Sequence, residues 1–157
     1  MKSHYCPCGS NLPTQDCCIN FIKNNQSPDT ALQLMRSRYT AYIQSNVKYL
    51  LSSWHQTTRP TTLDSNDFKN TIWQQLYIVD FNYGLKNNKH GSVEFVAYFS
   101  NNNTLGKLHE ISQFIKEDKQ WFYLDGKIIP ESNFQPPRNS PCYCRSGKKF
   151  KQCCLNK

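Results

Sequence analysis

The chain has 157 residues, 13% aromatic and 19% charged, with a mean hydropathy of −0.72 and a formal charge of +8. That length suits a single modest core, and no run of about eighteen apolar residues is present, which excludes a helical membrane span. Met1 to Cys8 never develop the apolar stretch of a secretory signal, so the reducing cytosol is the expected compartment.

The first 24 residues carry Cys6-x-Cys8-x8-Cys17-Cys18, and the same spacing returns as Cys142-x-Cys144-x8-Cys153-Cys154. These two sets use every cysteine in the chain. A disulfide framework is the rival reading, but it belongs to oxidising compartments, and adjacent pairs such as Cys17-Cys18 are poorly placed to bond to each other. Two local four-thiol clamps answer the repeat better. Cys-x-Cys puts two sulfurs on one side of a turn, a small residue (Gly9-Ser10 or Ser146-Gly147) allows tight folding, and the adjacent pair completes a tetrahedron. Four sulfurs about 2.3 Å from Zn²⁺ leave no position for water, so each site is structural in kind. Fe²⁺ suits the same donors, and His4 is an alternative ligand at the front site. Each segment is too short to own a core, so metal binding, on the order of 10 kcal/mol, should fold it, and removing the ion should unfold the clamps while sparing the middle.

Asn24-Asn25-Gln26 is a polar bridge to the first predicted helix. Ser27 is its expected cap, Pro28 its first position and Asp29 its favourable early acid. Ala31, Leu32, Met35, Tyr39, Tyr42 and Ile43 then form one apolar stripe to about Ser45. A second short helix is expected over Val47 to Trp54, with Leu50, Leu51 and Trp54 inward. A third should start at Asp64 or Ser65 and reach about Ile72, after the break at Pro60. The period then changes to two, and strands are predicted over Gln74 to Tyr83, Ser92 to Ser100, Lys107 to Lys116 and Gln120 to Ile128. Helices followed by an antiparallel meander define an α+β class.

Three prolines stiffen the linker from Gln135 to Pro141. From Arg138 to Lys157 there are six basic residues and no acidic one. Eight thiolates around two divalent ions would lower the whole-chain charge from +8 to +4, yet this segment stays basic. Arg145, Lys148, Lys149 and Lys151 interleave with Tyr143 and Phe150, a composition suited to phosphate contact and stacking. The same cations would also offset the thiolate charge and keep the tail soluble.

Cys142-Tyr143-Cys144-Arg145-Ser146-Gly147-Lys148-Lys149-Phe150-Lys151-Gln152-Cys153-Cys154 resembles the SEC-C motif, the metal-binding tail of the SecA translocation ATPase. The front copy keeps Cys-Pro-Cys-Gly-Ser and Cys-Cys but lacks the basic middle. Two such motifs around Leu34-Met35-Arg36-Ser37-Arg38-Tyr39, Trp54-His55, Thr58-Arg59-Pro60, Val93-Glu94-Phe95, His109-Glu110 and Asp125-Gly126 are similar to the YchJ family. The resemblance implies a nuclear transport factor two-like middle domain: a cone of helices and a curved antiparallel sheet, flanked by two small zinc knuckles. The corresponding boundaries are 1–24, 27–134 and 135–157. In SecA the tail contacts the SecB chaperone and the ribosome, so the resemblance implies a protein or ribosome partner for residues 142–154.

A cone commonly encloses a pocket, so a small-molecule ligand or an enzymatic role inside it is the alternative reading. Arg36, Arg38, His55, Asp80, Glu94, His109 and Glu110 are its candidate polar groups, and Trp54, Trp73 and Trp121 its core or wall. Arg36 and Arg38 lie about 200° apart on a helix, so at most one faces the sheet. His109 and Glu110 should point to opposite faces of their strand. No Gly-rich phosphate loop or Gly-x-Ser-x-Gly elbow is present.

Overall fold

The computed structural model describes residues 5–102 and 104–156. Four helices precede the sheet: α1 (Cys18–Ile22), α2 (Ala31–Ile43), α3 (Val47–Ser52) and α4 (Asn66–Lys69). Short 3-10 turns occupy Thr14–Asp16, Phe150–Gln152 and Cys154–Asn156. Among the described residues, no helix is long and apolar enough to cross a membrane.

α2 begins later than Ser27-Pro28-Asp29 suggests. Its cap is Thr30, whose hydroxyl accepts from the Gln33 amide at 3.1 Å, while the Gln33 side chain accepts from the Thr30 amide at 3.2 Å. This is a reciprocal capping box. Pro28 is buried outside the helix, and the Asp29 carbonyl accepts the indole N–H of Trp121 at 3.0 Å. The segment that reads as a helix start instead seals one end of the core.

The strands are β1 (Thr71–Tyr83), β2 (His90–Asn101), β3 (Thr104–Glu117) and β4 (Gln120–Ile128), antiparallel in the order β1-β2-β3-β4. Register breaks at Trp73/Gln75, Ile78/Asp80 and Gln113/Phe114 are the places where such a sheet gains twist and bend. Leu76, Val93, Phe95, Ala97, Phe114 and Trp121 cover the concave face and pack against Ala31, Leu34, Met35 and Tyr39 of α2. The β1–β2 turn closes onto the start of α2, where the Gly84 carbonyl accepts from the Ala31 amide at 2.9 Å. A Cβ at Gly84 would stand 2.7 Å from the Ala31 Cβ, and one at Gly91 would stand 2.4 Å from the Gly84 Cα. Only glycine permits that approach.

Beyond α3 the chain runs beside β4: the His55 amide donates to the Tyr123 carbonyl at 2.7 Å, and the Tyr123 amide to the Ser53 carbonyl at 2.9 Å. The result is a curled four-strand sheet wrapped around α2, with a four-cysteine cluster near each end of the chain.

Candidate metal centres

The front cluster is built by a turn and a short helix. Cys6 and Cys8 flank a turn closed by the Gly9 amide on the Cys6 carbonyl at 3.3 Å, and the Cys6 amide reaches the Leu12 carbonyl at 2.8 Å. The Thr14–Asp16 turn then delivers Cys17, and α1 begins on Cys18. The back cluster repeats this almost bond for bond. Arg145 donates to the Cys142 carbonyl at 3.2 Å, Cys142 to the Lys148 carbonyl at 2.9 Å, and Phe150–Gln152 delivers Cys153. A serine two residues after the second cysteine places its hydroxyl beside the third: Ser10 Oγ is 3.2 Å from Cys17 Sγ, and Ser146 Oγ is 3.3 Å from Cys153 Sγ.

In each cluster the four Sγ atoms lie within 4.8 Å of one another. In the front set, Cys8 and Cys17 are 3.6 Å apart and Cys17 and Cys18 3.8 Å. In the back set, Cys144 lies 3.5 Å from both Cys142 and Cys153, and Cys153 lies 3.9 Å from Cys154. A tetrahedron of sulfurs about 2.3 Å from its centre has edges of about 3.8 Å, so the spacing fits one ion per cluster. None of the eight cysteines is in a disulfide. His4, the alternative front ligand, lies outside the described residues.

Within each cluster the crowded thiols differ widely in how tightly they hold a proton. Hydrogen bonds from Cys18 and Cys8 hold the Cys6 thiol far below the usual range, and the bond to Cys6 drives Cys18 far above it. In the back set the Ser146 hydroxyl lowers Cys144 to about 6, while burial raises Cys154 to about 12. Thiols this crowded share protons unevenly, and a divalent ion would displace the protons that remain.

The SEC-C motif matches residues 138–156, and the description "YchJ, middle NTF2-like domain" matches residues 30–126. The chain belongs to the YchJ family. A UPF0225 protein of Serratia proteamaculans is 41% identical over 154 residues, covering 95% of this chain and 96% of that protein. One from Photorhabdus laumondii is 40% identical over 156 residues, covering 95% and 97%. Among solved structures, a SEC-C motif containing protein from Rhodopseudomonas palustris has a TM-score of 0.71 at 26% identity, over 80% of this chain and 98% of that one. A sec-c motif containing protein from Psychrobacter arcticus has a TM-score of 0.65 at 31% identity, over 97% and 96%.

In this member of the YchJ family the two clusters meet the cone differently. Cys6, Cys8 and Cys18 are buried in the same core as α2 and Leu76. Arg36 donates to the Cys8 carbonyl, and Cys6 Sγ lies 3.8 Å from Thr40 Oγ1. The back knuckle sits on the convex face. Tyr143 stacks on Tyr98 with ring centroids 4.3 Å apart and planes 3° from parallel, and Tyr77 donates its hydroxyl to the Pro141 carbonyl at 2.7 Å. Arg145 donates to the carbonyls of Trp73 and Gln74, where β1 bulges. Lys148 and Lys149 are exposed, and Lys151 is half-buried.

The other candidate residues divide between the two faces of the sheet. Arg38 and Glu110 line a cavity on the concave side with Ser112 and Tyr123, two residues that no sequence motif marks. Arg36 faces the front knuckle, so both arginines of α2 are engaged, in different directions. On the convex side His109 bridges Glu94, at 2.7 Å, and Ser132 Oγ, at 2.6 Å, pinning the segment after β4 to the sheet. His55 contacts Glu117 at 3.2 Å and Thr57 Oγ1 at 2.7 Å, both at the molecule's edge. Asp80 accepts from the Phe81 amide at 2.8 Å.

Proposed function

We propose that the protein binds two zinc ions, one in each four-thiolate cluster. The C-terminal knuckle ordered in this way is a docking surface for a protein or ribonucleoprotein partner in the cytosol. The observation that carries the metal reading is the sulfur spacing, which matches the edges of a tetrathiolate tetrahedron in both copies. Zinc is favoured among soft-ligand metals by closed four-sulfur coordination and by a role that requires no redox change. Bound there, the ion would supply shape rather than reaction chemistry.

The partner reading rests on how the back knuckle is presented. Its apolar side, Tyr143 and Phe150, is turned inward, and Arg145 is spent on the carbonyls of β1. Lys148 and Lys149 are left on the outer rim of a segment that has no acidic residue. An acidic protein surface or RNA phosphates would complement that rim. The test is retention of ribosomes or of an acidic chaperone on immobilised protein, comparing the wild type with a Lys148→Glu, Lys149→Glu, Lys151→Glu variant of equal zinc content. Wild-type retention should fall steeply as salt rises, and the variant should lose most of it at low salt. Equal retention by both at every salt concentration contradicts the reading.

A further inference from the structure

Three side chains on the convex face are joined in a row: Glu94 of β2, His109 of β3 and Ser132 of the segment after β4. His109 pairs with Val96 across the β2–β3 ladder, and Glu94, two residues before Val96, emerges on the same face beside the imidazole. Glu94 Oε1 lies 2.7 Å from His109 Nε2, and Ser132 Oγ lies 2.6 Å from His109 Nδ1. An ionised carboxylate only accepts, so Nε2 carries the proton, and Nδ1 offers the lone pair to which the serine hydroxyl donates. Serine, imidazole and carboxylate stand in the order that activates a hydroxyl as a nucleophile.

The surroundings hold this row in place and leave its serine within reach. The side chains of His109 and Glu94 are 10% and 27% exposed, whereas Ser132 is half-buried between the exposed Glu131 and Asn133. The Ile129 amide donates to the His109 carbonyl at 2.8 Å, and Lys107 Nζ donates to the carbonyls of Ser132 at 2.6 Å and Phe134 at 3.3 Å. These bonds already anchor the segment to the sheet. An anchor has no need of a carboxylate behind the imidazole, and Glu94 stands directly across from Asp80 in the β1–β2 ladder, an unfavourable meeting of like charges.

Two donors sit beside the hydroxyl. The Phe134 amide donates to Ser132 Oγ at 3.3 Å, which favours the negative charge that grows there as the proton leaves. An ammonium has three N–H donors, so Lys107 keeps one beyond the two spent on carbonyls. The Phe134 ring, 6.3 Å from the imidazole, is the apolar surface next to the serine, enough for a short acyl chain.

We infer that Ser132, His109 and Glu94 form a hydrolytic site for short-chain carboxylic esters. Ser132 Oγ adds to the ester carbonyl carbon while its proton passes to His109 Nδ1, and the carbonyl oxygen takes the electron pair and faces the Lys107 ammonium. The carbonyl then re-forms, the bond to the alcohol oxygen breaks, and the proton on Nδ1 goes to that oxygen. Water repeats the two steps on the acyl-serine, releasing the carboxylic acid and restoring the hydroxyl. Ser132 and His109 are the catalytic residues; Glu94 is a positioning residue that fixes the tautomer and steadies the imidazolium. The site shares no residue with either cysteine cluster or with the basic rim.

The experiment treats full-length protein with a fluorophosphonate probe and with 4-nitrophenyl acetate, locating adducts by peptide mass and following nitrophenolate release. One phosphonyl group per chain, on Ser132, is expected, together with catalytic turnover of the ester. Ser132→Ala should lose both at an unchanged thermal midpoint. Glu94→Gln should slow labelling of Ser132 about a hundredfold, within the range of about 10²–10⁴ that a positioned base contributes, although the serine itself is intact. Lys107→Met should slow ester turnover about tenfold or more. Wild-type protein that carries no adduct on Ser132, Glu94→Gln that labels at the wild-type rate, or ester turnover that survives Ser132→Ala would each overturn the inference.

Discussion

Gly9 and Arg145 hold the same place in the two knuckles, the residue after the second cysteine, and both have left-handed backbones, with φ of 74° and 59°. In the front copy a Cβ there would lie 3.4 Å from the Leu76 carbonyl, so glycine suits a turn pressed against β1. The back copy accepts the strain of a side chain at positive φ and uses that chain to hold the Trp73 and Gln74 carbonyls. Arg145→Ala should therefore keep the metal but loosen the knuckle from the sheet, at a cost of about 1 kcal/mol. Faster proteolysis of residues 135–157 at unchanged zinc content would show this. The cap of α2 offers a second residue-scale check: Thr30→Ala should cost about 1 kcal/mol in urea unfolding, whereas Ser27→Ala should cost almost nothing. Thr30-Ala31-Leu32-Gln33 is a legible capping box, but Ser27-Pro28-Asp29 three residues earlier has the stronger local signal, and the burial of Pro28 and the bond to Trp121 override it.

At the level of elements, the alternating strand pattern was readable because one face of each strand is buried. β4 occupies Gln120–Ile128 as its pattern indicates, and β1, β2 and β3 extend past their predicted ends where pairing continues beyond the apolar residues. α4 is shorter than expected, and α1 lies hidden inside the metal segment, where cysteine spacing masks helical periodicity. The sequence presents the two knuckles as equivalent appendages, yet their burial differs. Cys8 and Cys18 are fully buried in the main core, whereas Cys144 is exposed. Chelation should therefore proceed in two steps. The back ion should leave first, with the tryptophan environment and thermal midpoint of the cone nearly unchanged. Loss of the front ion should then expose part of the core and unfold α2, so the middle is not spared at that step. Zinc release followed together with tryptophan fluorescence distinguishes this from a single concerted loss.

For the whole molecule, the sheet acts as a partition, with the front knuckle and the cavity on its concave side and the back knuckle on its convex side. The cavity was only partly legible, since Arg38 and Glu110 stand out as charges and Trp73 as a wall residue, but Tyr39, Ser112 and Tyr123 join them only once α2 crosses the curled sheet. Burial also makes several tyrosines hold their protons more tightly, Tyr39, Tyr49, Tyr77 and Tyr123 among them. It pushes Tyr49, whose hydroxyl lies 2.7 Å from Ser37 Oγ, from 10.0 up to about 12. A pKa raised by folding means that the folded state holds the proton more tightly. This contribution is complete below pH 10 and is lost as pH rises from 10 through about 12. Circular dichroism and tyrosinate absorbance should change together in that window, and Tyr49→Phe should lessen the pH dependence by Tyr49's share, leaving that of Tyr39, Tyr77 and Tyr123.

The proposal that both chain ends owe their shape to ions held by eight sulfurs is tested most directly by coordination measured on protein purified without air. Native mass spectrometry combined with X-ray absorption at the metal edge should find two zinc ions per chain, each surrounded by four sulfurs at about 2.3 Å. A metal-free folded chain, or one whose cysteines are bonded pairwise to each other, would contradict it.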